Sequence, residues 1–372
     1  MHVFGPRELV EGVQKGGLCI GCGACVGLCP YFLNHRGRTV QIFSCSLTQG
    51  RCFAACPKVE VDLDEISRHH RQKPYEGAPM GVYSEALAAK AGANMPARSF
   101  QGGGVVSALL ICALKQGLIE AAILTGRDEN GPAPRIASSP EEILDCATSK
   151  FTAAPTLAAL NRAVSEKIGP LGVVGTPCQM TAVAKWRTNP LNRDDYADPV
   201  SLTIGLFCNW GLDQRQLYAF LAERMDMSRI RGMDIPPPPA NVLVVDLGDE
   251  QVTIPLDEVR PFIPDTCGLC PDMTSEWADL SVGMFEGRPG WNTLLVRSQT
   301  GKDLVAGATA AGLLITEPMP EANLDHLGEA AKNKKQRAFV EMNQRGLLNS
   351  SKENARALLR VPGDVVNSIL EI

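Results

Sequence analysis

The amino-acid sequence predicts an α/β body, a mixed sheet with helices, preceded by a small α+β module rich in cysteine. Three observations predict it. Thirteen cysteines stand in a chain of 372 residues, and seven of them lie within the first 56 positions. From about Gln101 onward, short apolar runs alternate with longer helical ones, the pattern of strands joined by helices. Hydrophobic residues make up 45% and charged residues 21%, an ordinary globular composition in a chain long enough for two or three domains.

The same composition narrows function. A net charge of −5 supplies no concentrated basic face, so nucleic acid is not an expected partner. No cationic segment followed by an apolar run opens the chain, so no secretory signal is expected. The longest apolar stretch, Val105 to Leu114, is about half of the roughly 20 residues that a spanning helix needs. No direct membrane span is expected, and any membrane attachment would run through partner subunits. Disulfides staple small secreted domains, so these cysteines read better as metal ligands in a reducing cytoplasm.

In chain order, residues 1–72 are the cysteine module, short in regular structure and held by its ligands more than by a core. Residues 73–100, rich in Pro, Gly and Ala from Lys73 to Ala97, read as a linker. The body spans 101–316. In it, Val105 to Lys115 is a helix ending at Gly117, and Ala121 to Thr125 is a buried strand. Thr156 to Val164 is helical, and Leu171 to Val174 is a strand that runs into Gly175-Thr176-Pro177. Cys178 to Trp186 is helical, Leu202 to Phe207 is a strand, and Asp213 caps a helix to Glu223. After the prolines Pro236 to Pro239, Val242 to Leu247 and Val252 to Leu256 form a hairpin through Gly248-Asp249. Leu280 to Met284 and Trp291 to Arg297 are further strands. Residues 317–372 are a polar helical extension expected to pack on the outside.

Cys19, Cys22, Cys25 and Cys29-Pro30 follow C-x2-C-x2-C-x3-C-P, the run that wraps a cubane iron–sulfur cluster in bacterial-type ferredoxins. In two-cluster ferredoxins the fourth cysteine of each run serves the other cluster. Cys19, Cys22, Cys25 and Cys56 then hold one 4Fe-4S cluster. Cys29, Cys45 and Cys52 remain, one thiolate short. The readings left open are a 3Fe-4S cluster, a 4Fe-4S cluster with a non-cysteine ligand, no second cluster, or a zinc site in place of the whole module.

Four more cysteines lie far apart, in Gly175-Thr-Pro-Cys178-Gln179, Ile204-Gly-Leu-Phe-Cys208 and Cys267-Gly-Leu-Cys270-Pro271. Cys178 and Cys208 are expected at the carboxyl ends of their strands, where open α/β sheets place ligands. Gln101-Gly102-Gly103-Gly104 opens a helix and suits the cradling of a pyrophosphate. As plain structure, the same glycines make a turn, Lys150 is a surface lysine, and Thr176 and Gln179 are loop and cap residues. Cys112, Trp210 and Trp291 read as core, and His69-His70 as a solvated polar stretch.

These segments, with Ser149-Lys-Phe151, the run Cys267 to Gly283 and Gly290-Trp-Asn292, resemble the family of coenzyme F420 hydrogenase/dehydrogenase beta subunits. The form resembled is the one with a fused two-cluster ferredoxin. The resemblance covers residues 19 to about 300. It implies a body that binds FAD and a further 4Fe-4S cluster held by Cys178, Cys208, Cys267 and Cys270. It implies FAD contacts from Gln101, Gly102, Gly103, Gly104, Lys150, Thr176 and Gln179. It further implies hydride exchange with coenzyme F420 and redox partner subunits of hydrogenase, formate dehydrogenase, heterodisulfide-reductase-like or quinone-reducing type. The alternatives are the same cofactors with NAD(P)H, another hydride carrier or another substrate, or an electron-relay adaptor with no substrate of its own. The chain departs from the family pattern twice, in the missing cysteine of the second run and at Ala147-Thr-Ser-Lys-Phe151, where relatives carry Arg-Gly-Ser/Thr-Lys-Tyr.

Overall fold

Among the described residues, eight strands form one mixed sheet in the order Leu314–Pro318, Glu85–Ala91, Asn292–Val296, Leu280–Met284, Val200–Leu206, Leu171–Gly175, Ala121–Asp128, Gly131–Ala137. The computed structural model describes residues 2–96, 100–237, 239–351 and 356–371. Ala97 of the expected linker and Pro238 of the proline run lie outside them. The four strands from Leu280–Met284 to Ala121–Asp128 are parallel to one another. Antiparallel strands complete the sheet on both sides.

Burial explains the central strands. All five residues of Leu171–Gly175 are buried, as in a parallel strand covered by helices on both faces. The Val105–Lys115 and Gln299–Ala310 helices share one apolar cluster with the sheet. The Thr156–Ser165 and Pro177–Arg187 helices share the other. Leu109, Leu110 and Ile111 are at most 1% exposed, and each such side chain contributes roughly 1.5–3 kcal/mol by leaving water. The helix signals hold locally. Ser139 and Glu142 form a capping box before Pro140–Asp145, and Asp213 accepts from Arg215 and Gln216 N–H groups at the start of Gln214–Ala222. The Val242–Asp246 and Gln251–Pro255 hairpin pairs with Gly232–Asp234 to form a side sheet with its own core.

Three expectations fail. Residues 73–100 are not only a linker, because Glu85–Ala91 is an inner strand whose Ala88 and Ala89 are fully buried. The described part of 317–372 does not pack wholly on the outside. Its Glu321–Gln344 helix buries Lys334, Lys335, Ala338, Phe339 and Met342. Beyond it, Leu359–Arg360 pairs in parallel with Val61–Asp62 of the cysteine module, and Phe339, Leu358 and Val365 share a core with Leu63, Ile66 and Tyr75. His70 also departs from the solvated reading, since its ring bonds to the Ala184 carbonyl at 2.9 Å. Among the described residues, no helix is long and apolar enough to cross a membrane.

Candidate functional site

The structure gathers eleven of the cysteines into three sets. Cys19, Cys22, Cys25 and Cys56 line one small cavity together with Lys58. Burial, then the neighbouring thiols Cys25 and Cys56, pushes the Cys22 thiol well up. Burial, then Cys56, Cys19 and Cys52, does the same to Cys25. Cys29, Cys45 and Cys52 form the second set. Burial pushes Cys52 up to about 12, with Cys29 and Cys45 adding to it.

The third set is assembled by the sheet. Leu171–Gly175 and Val200–Leu206 are adjacent and parallel, with Gly175 opposite Gly205, so Cys178 and Cys208 emerge at the same carboxyl end. The Cys267–Glu276 loop lies on that end. Cys208 N–H donates to the Met273 carbonyl at 2.9 Å, and Ser275 Oγ donates to the Leu206 carbonyl at 2.7 Å. A Cβ on Gly205 would stand 2.1 Å from that of Ser275, so only glycine lets the loop approach. Burial, then Cys270, pushes Cys178 up to about 11. Cys208 rises to about 12 through burial, with Cys178, Cys270 and Cys267 contributing.

Three lysines missed in the sequence stand among these thiols. Lys58, Lys185 and Lys334 are 4%, 0% and 6% exposed. Lys58 donates to the Thr266 carbonyl at 3.0 Å. Lys185 donates to the carbonyls of Cys56, at 3.0 Å, and of Phe53 and Val59. Lys334 donates to those of Cys208 and Asp272 at 2.6 and 2.9 Å. Among the described residues, every hydrogen bond of these three ammonium groups ends on a backbone carbonyl. Lys335 is different: its ammonium lies 3.3 Å from the Glu276 carboxylate and donates to Tyr75 Oη at 2.9 Å. Arg297 joins that network, donating to Ser281 Oγ, to Thr274 and to the Met80 and Val82 carbonyls. The ionic cluster pins the loop that carries Cys267 and Cys270. The only sequence signal for the lysines is position: Lys58 follows Cys56-Pro57, and Lys185 lies two turns along the helix from Cys178.

A buried ammonium without a carboxylate partner is costly unless other negative charge lies near it. Thiolates would supply that charge once a bound metal displaced the thiol protons. The donor chemistry of the first and third sets therefore suits an anionic metal–thiolate group. Among the described residues, no three His, Cys, Asp or Glu side chains close around a single metal ion. Binding would displace the thiol protons and so depend on pH.

The glycine-rich entry borders a cleft of about 300 Å³ lined by Lys90, Gly92, Met95, Phe100, Gly102 and Gly103, among others. A Cβ on Gly103 would lie 2.7 Å from Asn292 Oδ1 and 2.9 Å from the Ala89 carbonyl. The entry thus rests directly on two strands. Gln101 ties it down, donating to the Met233 carbonyl at 3.2 Å and to Asp234 Oδ1 at 2.5 Å. Its amide oxygen accepts from Ser149 N–H at 2.7 Å. Lys150 is not a free surface lysine. Its ammonium is spent on the Cys146 carbonyl and on Thr148, and burial, then Arg127, lowers its pKa to about 8. Thr176 and Gln179 form the capping box of Pro177–Arg187. The Gln179 amide donates to the Ala154 carbonyl and Thr156 Oγ1, both at 3.0 Å. Their cap role is the one the structure displays. Cys112 and Trp291 are buried as expected.

Two family models match this chain. Residues 86–161 match the amino-terminal part, and residues 169–322 the carboxyl-terminal part, of the beta subunit of coenzyme F420 hydrogenase/dehydrogenase. The beta subunit of coenzyme F420 hydrogenase from Methanothermobacter thermautotrophicus is 29% identical over 278 residues, 72% of this chain and 98% of that protein. A subunit of the F(420)H(2) dehydrogenase from Methanosarcina mazei is 26% identical over 88% of this chain and 96% of its own length. A chain of the F420-reducing [NiFe] hydrogenase complex from Methanosarcina barkeri superposes with a TM-score of 0.66 at 27% identity, covering 72% of this chain and 94% of that one.

Proposed function

This chain belongs to the family of coenzyme F420 hydrogenase/dehydrogenase beta subunits, and from that premise we propose that it is an iron–sulfur flavoprotein subunit of a larger redox complex. In this reading it exchanges a hydride between coenzyme F420 and FAD, and it passes single electrons through iron–sulfur clusters. The observation that carries the reading is the gathering of eleven cysteines into three sets, two of them beside buried lysines that make no ion pair among the described residues. A flavin exchanges electrons as a hydride pair on one side and singly on the other, which is the conversion these parts call for.

Each group of residues has a part. Cys19, Cys22, Cys25 and Cys56 hold one 4Fe-4S cluster, and Cys178, Cys208, Cys267 and Cys270 another. Cys29, Cys45 and Cys52 hold a third iron–sulfur cluster of 3Fe-4S type, or of 4Fe-4S type with a ligand other than cysteine. The second run thus makes the amino-terminal module a two-cluster ferredoxin in function. Gly102, Gly103 and Gly104 receive the FAD pyrophosphate at the helix amino end, and Gln101 fixes that entry. Partner subunits dock at the module. Leu33, Val40, Ile42, Phe43 and Leu47 are each at least 45% exposed there, with Phe43 and Leu47 on either side of Cys45.

The test is anaerobic purification with iron, sulfide and flavin content, followed by stopped-flow flavin reduction. Rapid bleaching by reduced F420 but not by NADH is the expected result. Bleaching by NADH alone assigns the other hydride carrier. Bleaching by a protein partner alone makes the chain an adaptor. A colourless protein with zinc in place of iron ends the proposal.

A further inference from the structure

Thr266 stands immediately before Cys267 and binds the amino-terminal module with both of its polar groups. Its hydroxyl donates at 2.9 Å to the carbonyl of Leu18, the residue before Cys19. Its own carbonyl accepts from the Lys58 ammonium at 3.0 Å. Thr266 is 1% exposed and Lys58 4%, so neither contact is a surface accident. Lys58 also lines the cavity ringed by Cys19, Cys22, Cys25 and Cys56. Its ammonium thus stands at both sets, two residues after Cys56 in sequence and bonded to the residue that precedes Cys267. The other buried lysines are one-sided. Lys185 donates to Cys56 and its neighbours, whereas Lys334 donates to Cys208 and Asp272.

The spacing of the two sets is fixed as well. Pro177–Arg187 carries Cys178 in its first turn and Lys185, bonded to the Cys56 carbonyl, near its last. Seven residues of helix separate them by about 10 Å.

We propose that Lys58, seated by Thr266, is a cation shared by the module set and the sheet set, so that one residue raises the electron affinity of both. The proposal rests on the reading that both sets hold iron–sulfur clusters. One electron leaves one set and enters the other; no bond is made or broken and no proton moves. A positive charge held between two sites favours the reduced form of each, and the low dielectric of the interior strengthens the effect. Sharing the cation keeps the two affinities in step, so the electron meets no large step at the junction. Thr266 is the positioning residue.

The test uses the full chain, purified without oxygen, with an EPR-monitored redox titration of both centres. Lys58→Met is expected to lower both midpoints together, Lys58→Arg to restore both, and Lys334→Met to lower the sheet-set midpoint alone. A fully iron-loaded Lys58→Met protein in which only one midpoint moves, or neither, overturns the inference. If Lys58→Met does not load iron, power-saturation EPR on the fully reduced wild type decides. Spin–spin coupling between the two centres supports the shared junction, and its absence overturns it. Wild-type protein without iron in either set fails the earlier reading and takes this one with it.

Discussion

The module set and the sheet set meet at Thr266 but are made in opposite ways. Cys19, Cys22 and Cys25 come from one short loop, and Cys56 joins them from a module whose own core is small, centred on Leu9, Val13, Phe32 and Phe53. Cys178, Cys208, Cys267 and Cys270 come from three distant segments, positioned by adjacent parallel strands and by a loop clamped on buried charges. Spacing along the chain encodes the first arrangement. A large core encodes the second, which therefore stands without its ligand. The module should lean on its bound metal for stability, and the sheet should not.

The strongest way to break this contrast is to strip the iron with a chelator under anaerobic conditions. Hydrogen exchange should then show Phe32–His35 and Arg51–Ala54 losing protection while Leu171–Gly175 and Val200–Leu206 keep theirs. Equal loss in both regions would refute it. Next in size, Lys335→Met leaves the buried Glu276 carboxylate with the Tyr75 hydroxyl but without its ammonium partner, and should cost about 3–5 kcal/mol in urea unfolding. Lys335→Met with Glu276→Gln should recover part of that loss. If the single substitution is neutral, the buried charges do not clamp the sheet set.

His70 sharpens the contrast through pH. Burial lowers its pKa to about 4, while an unfolded histidine takes its proton near ~6.5. The unfolded chain thus binds the proton first, so this stability is complete above pH ~6.5 and is lost as pH falls toward ~4, by about 2 kcal/mol once partial solvent access is allowed for. Replacement by Gln should flatten that part of the stability profile, and an unchanged profile would rule out His70 as its source. The smallest effect belongs to Asp213, which caps a body helix and pairs with Arg38 of the module at 2.9 Å. Asp213→Ala should cost about 1 kcal/mol in thermal or urea unfolding. A cost several times larger would mean that the module is moored to the body mainly there.

Much of the body was legible in the sequence because its signals are local. Val105–Lys115 matched its expected limits, and Leu171–Gly175 and Leu280–Met284 matched to within a residue. The inner strand Glu85–Ala91 escaped because its sequence, Glu-Ala-Leu-Ala-Ala-Lys-Ala, lacks the β-branched residues that mark a strand. The Gly131–Ala137 and Leu314–Pro318 strands were missed as well; the first holds two prolines and pairs at the sheet edge. Thiol groupings were expected from motif and resemblance. The lysines among them were not, since a lysine destined for a buried carbonyl looks like any surface lysine until the chain is folded. Lys334 and Lys335 sit in a stretch so polar that only tertiary packing shows which two face inward.

The pairing of Val61–Asp62 with Leu359–Arg360 has a consequence for biosynthesis. Glu60 accepts from the Ala357 N–H at 3.1 Å and pairs with the Arg360 guanidinium, so the cysteine module is finished by residues made about 300 positions after it. The cysteine module must wait, incompletely walled, until residues 357–360 have been made. Metal delivery to it is therefore timed by the synthesis of residues 357–360, and a chain that stopped before them would leave Val61–Asp62 without its strand partner.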